Sequence, residues 1–96
     1  MSAPTEGFPV PAPSIGRIVH YRLSEYDAEA INRRRLGFPN DFNAAVAGQA
    51  YPALVVRTFG GQAANLQVFL DGNDTQWVTS RTPGEDNGQW CWPARV

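Results

Sequence analysis

The sequence predicts a mainly β protein: a small five-stranded SH3-like or OB-like barrel with one short surface helix and a Pro-rich N-terminal arm. Three observations lead there. Five short β-prone runs are separated by clusters of Gly, Asn, Asp and Pro. One further stretch has the caps and charge gradient of a helix. The chain of 96 residues has room for a single domain with a single core.

Residues 1–14, MSAPTEGFPVPAPS, hold four of the eight prolines and no hydrophobic period, so they read as an extended polyproline-type arm. Residues 15–96 read as the domain. Gly16 opens the first strand run, in which Val19, Tyr21 and Leu23 share the face expected to meet the core, and Ile18, His20 and Arg22 share the other. A helix of about 24–36 follows. Ser24 with Asp27 three residues on is a capping-box variant, Glu25 and Glu29 lie early, Arg33, Arg34 and Arg35 lie late, and Gly37 stands at the stop. The charges complement the helix dipole, and Glu29 is spaced to pair with Arg33. The apolar stripe is thin, made of Tyr26, Ala30, Ile31 and Leu36, which predicts a helix on the barrel surface or on a partner chain.

Residues 37–50 read as a long connection. Four strand runs come after it, at 51–59, 65–70, 76–80 and 89–92, divided by Gly60-Gly61, by Asp71-Gly72-Asn73-Asp74 and by the Pro83 to Gly88 segment. Leu66, Val68 and Leu70 alternate with Gln67 and Phe69, and Leu54 and Val56 alternate with Ala53 and Val55. Apolar residues on both faces of so short a sheet predict strong curvature, with one face filling a barrel and the other partly covered.

Charge and cysteine content exclude several classes. Eight Arg and no Lys against nine acidic residues give a formal net charge of -1, without the basic excess that bulk nucleic-acid binding requires. A lone Cys rules out an internal disulfide. No window approaches the roughly 18 apolar residues of a membrane span, and the Pro-rich start lacks the basic and apolar regions of a secretory leader.

The short motifs Gly16-Arg17-Ile18-Val19-His20-Tyr21, Tyr51-Pro52-Ala53, Asn65 to Gly72, Trp77-Val78-Thr79-Ser80 and Gly88-Gln89-Trp90-Cys91-Trp92-Pro93 occur in that order. In this the chain resembles a widespread family of small uncharacterised proteins of tailed phages and actinobacteria that end in G-x-W-x-W-P. The resemblance covers most of residues 15–93. It implies a phage origin, which the missing Lys suits, and an accessory role. The family pattern tends to carry His between the two Trp where this chain has Cys91, so a role for that His does not carry over.

Among chemistry-bearing residues, Trp77, Trp90 and Trp92 with Tyr21 are many large rings for one small domain; they serve either as core or as a stacking wall for a planar ligand. Arg17, Arg22, Arg57 and Arg81 lie in or beside strands, where they could fork onto an anion, and Asn65, Gln67, Thr79 and Ser80 could orient it. Of all these, Tyr21, Arg22, Asn65, Gln67, Trp77, Arg81, Trp90 and Trp92 are the candidate ligand site. No catalytic set, metal site or cofactor is expected. His20 and Cys91 lack an evident orienting partner, and one His with one Cys cannot complete a structural zinc set within one chain. The Asp71 to Asp74 turn lacks the closing Glu of a calcium loop, and Gly60-Gly61 lacks the Lys and helix of a phosphate loop.

The leading expectation is therefore a non-enzymatic phage accessory protein, homo-oligomeric, that sequesters a small anionic, nucleotide-derived immune signal in the host cytoplasm. A virion structural or assembly protein, using its arm and its 37–50 loop for subunit contacts, is the alternative. A host-protein inhibitor acting through the helix is a third.

Overall fold

A computed structural model describes residues 10–36 and 44–94. They form β1 (Ile18–Arg22), α1 (Glu25–Arg34), β2 (Ala50–Thr58), β3 (Ala64–Phe69), β4 (Thr75–Arg81) and β5 (Trp90–Cys91). The strands make one antiparallel five-stranded sheet in the order β4-β3-β2-β1-β5. The five strands fall within about two residues of their sequence-derived limits. The predicted closure into a barrel is not complete, because β4 and β5 share no ladder. Instead, Trp90 N–H donates to Thr82 O at 3.2 Å, Gly84 N–H donates to Trp90 O at 2.9 Å, and Pro83 and Trp90 form a single parallel bridge. β5 is only two residues long and Pro83 has no N–H to give, so the contact stays a single bridge.

The core lies on one face of this sheet. Val19 and Tyr21 of β1, Ala53 and Val55 of β2, Ala64, Leu66 and Val68 of β3, Val78 of β4 and Trp90 of β5 are all buried, and Leu23 joins them just past β1. This is the period-2 alternation read in the sequence. Two register shifts interrupt the ladders, one between β2 and β3 at Val55/Arg57, the other between β3 and β4 at Ala64/Leu66. Opposite the second, Ser80 takes a left-handed backbone with φ 55°, and its N–H donates to Asn65 Oδ1 at 2.8 Å. A non-glycine residue there is strained, and the bond offsets part of that cost.

Helix α1 covers the core face, and its buried residues are Asp27, Ala28 and Ile31. This corrects the expected stripe: Tyr26 and Leu36 are exposed, and the helix is a wall of the domain's own core. Burying Ile31 completely contributes about 1.5–3 kcal/mol. The capping box is present. Asp27 N–H donates to Ser24 Oγ and Ser24 N–H donates to Asp27 Oδ2, each at 3.0 Å. At the other end Arg35 is the C-cap residue, and the expected stop at Gly37 lies outside the described residues, as do residues 38–43 of the long connection. The segment that resumes at 44 returns to the helix through Asn32, whose side chain bonds both Ala45 O and Ala45 N–H at 2.8 and 2.9 Å.

The arginine run ties α1 to the β3–β4 turn. Arg34 Nη2 donates to both carboxylate oxygens of Asp74 at 3.1 Å, and Arg35 Nε and Nη2 donate to Asp74 Oδ2. Desolvation pushes the Asp74 carboxyl up, but the hydrogen bond and charge of Arg34 and the hydrogen bond of Arg35 outweigh it and hold it below its ordinary range. A carboxyl with a lowered folded pKa stabilises the fold above its unfolded pKa and loses that contribution as pH falls through the folded value. Asp74→Asn is thus expected to cost about 0.5–1 kcal/mol at pH 7, since Arg34 is partly solvent-screened, and to flatten the acid limb of stability against pH in urea titrations.

Candidate functional site

A groove of about 600 Å³ runs between the N-terminal segment and the end of β5, lined by Pro11, Ala12, Ser14, Arg17, Ile18, Trp92 and Pro93. The N-terminal segment is pinned to the domain through its backbone carbonyls. Gln62 Nε2 donates to Val10 O at 2.7 Å and Trp92 Nε1 donates to Pro11 O at 2.9 Å. Pro13 is buried. Prolines suit this recognition: the ring presets an extended backbone and leaves the carbonyl as the group to be read.

Trp92 is held edge to face against Trp90, with ring centroids 5.6 Å apart and an interplanar angle of 88°. Its ring also carries the Arg17 guanidinium, 5.3 Å from the centroid. A guanidinium lying over a ring keeps its N–H groups in the plane, where they can fork onto a carboxylate or phosphate. Arg17 and Trp92 together thus place one charge and one indole at the edge of a mainly apolar groove.

The eight candidate residues distribute over four places. Trp92 alone of them lines the groove. Trp90 and Tyr21 are fully buried core residues, so neither ring presents a face to a ligand. Trp90 Nε1 is satisfied by Arg81 O at 3.0 Å and Gln62 O at 3.2 Å. Arg22 Nη1 donates to Gly48 O at 2.9 Å and fastens the turn before β2. Asn65 supports the strained Ser80 backbone, and Gln67 donates to Thr75 Oγ1 at 2.8 Å. Gln67 and Trp77 are register partners on the sheet face away from α1, where Trp77 is 48% exposed. On that same face His20 and Cys91 stand directly opposite one another. Among the described residues no three His, Cys, Asp or Glu side chains converge as a metal set.

Tyr21 and Arg81 meet at the buried end of α1. Tyr21 Oη donates to Asp27 Oδ2 at 2.5 Å, and Arg81 Nη2 lies 3.9 Å from Asp27 Oδ1. The Arg81 guanidinium sits over the Tyr21 ring at 5.8 Å, and its Nε–H is buried without an acceptor among the described residues. Gly88 closes the loop over this group with φ 82° and an N–H···O bond of 2.7 Å to Arg22, a conformation open to glycine at little cost. Burial raises the Tyr21 pKa far above its ordinary 10.0, reinforced by the hydrogen bond and charge of Asp27, with Arg81 and Ser24 opposing.

Ser14 of the groove and Gln62, which pins Val10 beside it, are not among the sequence-derived candidates, and Arg17, read there with the other strand arginines, lies outside the eight-residue set. The signal that would have found them is the pairing of β1 with β5, which brings the start of the domain beside Trp92. Comparison with protein-family models, with curated proteins and with solved structures finds no match to this chain.

Two predictions follow from this geometry. Tyr21→Phe leaves Asp27 with one fewer donor and is expected to cost about 1–3 kcal/mol in urea unfolding at pH 7. Because the folded pKa of Tyr21 is raised, wild-type stability should hold below pH 10 and fall above it as the unfolded chain ionises, a fall that Tyr21→Phe reduces. Trp92→Phe keeps a ring but removes the indole N–H, so residues 10–14 should become several-fold more susceptible to limited proteolysis while the unfolding midpoint changes little.

Proposed function

We propose that this chain is a non-enzymatic binding protein of phage origin that sequesters a small anionic, nucleotide-derived ligand, and so keeps a host immune signal from its receptor. The observation that carries the reading is the convergence of Arg17 and Trp92 on one groove. A nucleobase or similar flat ring stacks against an indole or guanidinium plane for about 1–3 kcal/mol, and the Arg17 N–H groups supply the charge that selects an anion. Pro11 and Pro93 add rigid apolar walls whose ordering costs little on binding. The order of short motifs over residues 15–93 supports the phage origin, and with it a site of action in the host cytoplasm. The fold that goes with this reading is an SH3-like small barrel, supported by the strand order and by the bonds from Thr82 and Gly84 to Trp90 that span the gap between β4 and β5.

Calorimetric titration with cyclic dinucleotides and ADP-ribose derivatives tests the proposal. Saturable binding is expected to at least one of them, weakened about tenfold or more by Arg17→Ala, in keeping with a charge-assisted contact. Absence of heat across the panel would sink the nucleotide claim. A second reading, a virion structural or assembly subunit, is favoured by the apolar outer face of the sheet, where Ile18, Phe69 and Trp77 are 40–48% exposed. Mass spectrometry of purified particles separates the two, since stoichiometric presence in virions supports assembly over sequestration.

A further inference from the structure

One wall of the groove is not part of the sheet. Pro11, Ala12 and Ser14 supply it, and they lie on a segment, residues 10–14, that belongs to no strand. The segment leaves the sheet at a turn, where Arg17 N–H donates to Ser14 O at 3.2 Å and Gly16 takes φ 93°. Glycine adopts that backbone at little cost. Before the turn the chain is stiff. Pro11 and Pro13 have a fixed φ, and Val10 and Ala12, each followed by a proline, are biased to extended backbone. Pro13 is buried, and two side-chain hydrogen bonds hold the far end of this strap, from Gln62 Nε2 to Val10 O and from Trp92 Nε1 to Pro11 O. Both bonds are exposed, and exposed bonds on a segment outside the ladders open locally, well before the domain unfolds. The two donors share one support: Trp90 Nε1 donates to Gln62 O at 3.2 Å, and the Trp92 ring stands edge to face on Trp90. The strap can therefore lift while its donors stay in place on the core.

We propose that Gln62 is a positioning residue for the groove: without lining it, Gln62 latches the strap whose closure completes it, and a bound ligand locks the strap in turn. The latch is a matter of one amide. Val10 O can only accept, so Gln62 must present its N–H, and Gln62 is an exposed residue of the β2–β3 turn whose backbone carbonyl alone is tied to the core. Losing one neutral hydrogen bond shifts such a local equilibrium by about threefold to tenfold. When the strap lifts, Pro11, Ala12 and Ser14 go with it, and Arg17, Ile18, Trp92 and Pro93 remain as an open shelf. A ligand that touches both sides binds the closed form better, and by linkage it favours closure by the same factor by which closure favours binding. The locking by ligand rests on the groove being the binding site; the latch stands without it.

Proton exchange with water at the three tryptophan indoles, followed by NMR in the isotope-labelled full chain, reads the latch, because Trp92 Nε1 is released when the strap lifts. Gln62→Met keeps the length of the side chain and removes its donor. It is expected to speed exchange at the Trp92 indole several-fold while the Trp90 indole and the unfolding midpoint stay as in the wild type. An unchanged Trp92 rate overturns the latch. A parallel rise at Trp90 overturns it too, since that reports loosening of the whole domain. Calorimetric titration with the cyclic dinucleotides and ADP-ribose derivatives then tests the coupling. Gln62→Met should weaken binding several-fold with Arg17 in place, and saturating the wild type should slow Trp92 indole exchange several-fold. Binding indifferent to Gln62→Met overturns the coupling and leaves the groove as the ligand site. No binding across the panel removes the coupling together with the reading of the groove, and the exchange rates of the free chain still decide the latch.

Discussion

Asp27 is the junction on which the rest of the domain depends. Its carboxylate is 1% exposed, yet it receives the Tyr21 hydroxyl from β1 and the Ser24 backbone N–H that starts α1, and it faces the Arg81 guanidinium at the end of β4. A carboxylate taken out of water is costly unless its lone pairs are satisfied, and here hydrogen bonds and an opposite charge compensate it. The result is geometric as much as energetic. One side chain fixes the start of the helix, the tilt of the largest ring of β1 and the end of β4 together. Ala28 and Ile31 can then close the core only in the position that Asp27 allows.

That arrangement divides the aromatic and arginine residues into two populations. Tyr21 and Trp90 are used up by the core, their polar atoms bonded to Asp27 and to backbone carbonyls, while Arg81 faces Asp27 with its Nε–H left without an acceptor among the described residues. Trp92, two residues after Trp90 and on the same side of its strand, rests on Trp90 as on a plinth and faces outward to the groove. Because Trp90 is locked by two carbonyl acceptors and by burial, Trp92 is presented on a rigid support. The N-terminal segment then forms the opposite wall, held through the carbonyls of Val10 and Pro11.

The fold was largely legible in the sequence, and the site much less so. Alternation at Val19, Tyr21 and Leu23 and at Leu66 and Val68 reports burial on one face, and Ser24 with Asp27 marks the helix start; both signals are local. The buried stripe of α1 was misjudged because Asp27 is charged and Ala28 small, and hydropathy cannot register a carboxylate whose partners come from residues 21 and 81. Likewise, Asn65 and Gln67 look like free hydrogen-bonding groups until the sheet register supplies Ser80 and Thr75. The groove depends on β1 lying between β2 and β5, a long-range pairing that no window of sequence contains. Both faces of the sheet were read as apolar, and the outer one does keep its Ile, Phe and Trp at the surface.

The pairing of β1 with β5 also orders events in time. β1 is made before β5, and the edge it turns to β5 stays unpaired until residues 90 and 91 follow. Trp90, the largest side chain of the core, is the last of the described core residues to be synthesised. A nascent chain therefore carries β1 to β4 and α1 with a hole where the indole belongs, and the non-local contact that fills it is of the kind that slows folding. Completion of the core therefore waits on β5, and a chain that stops anywhere short of Trp90 lacks the indole that closes it.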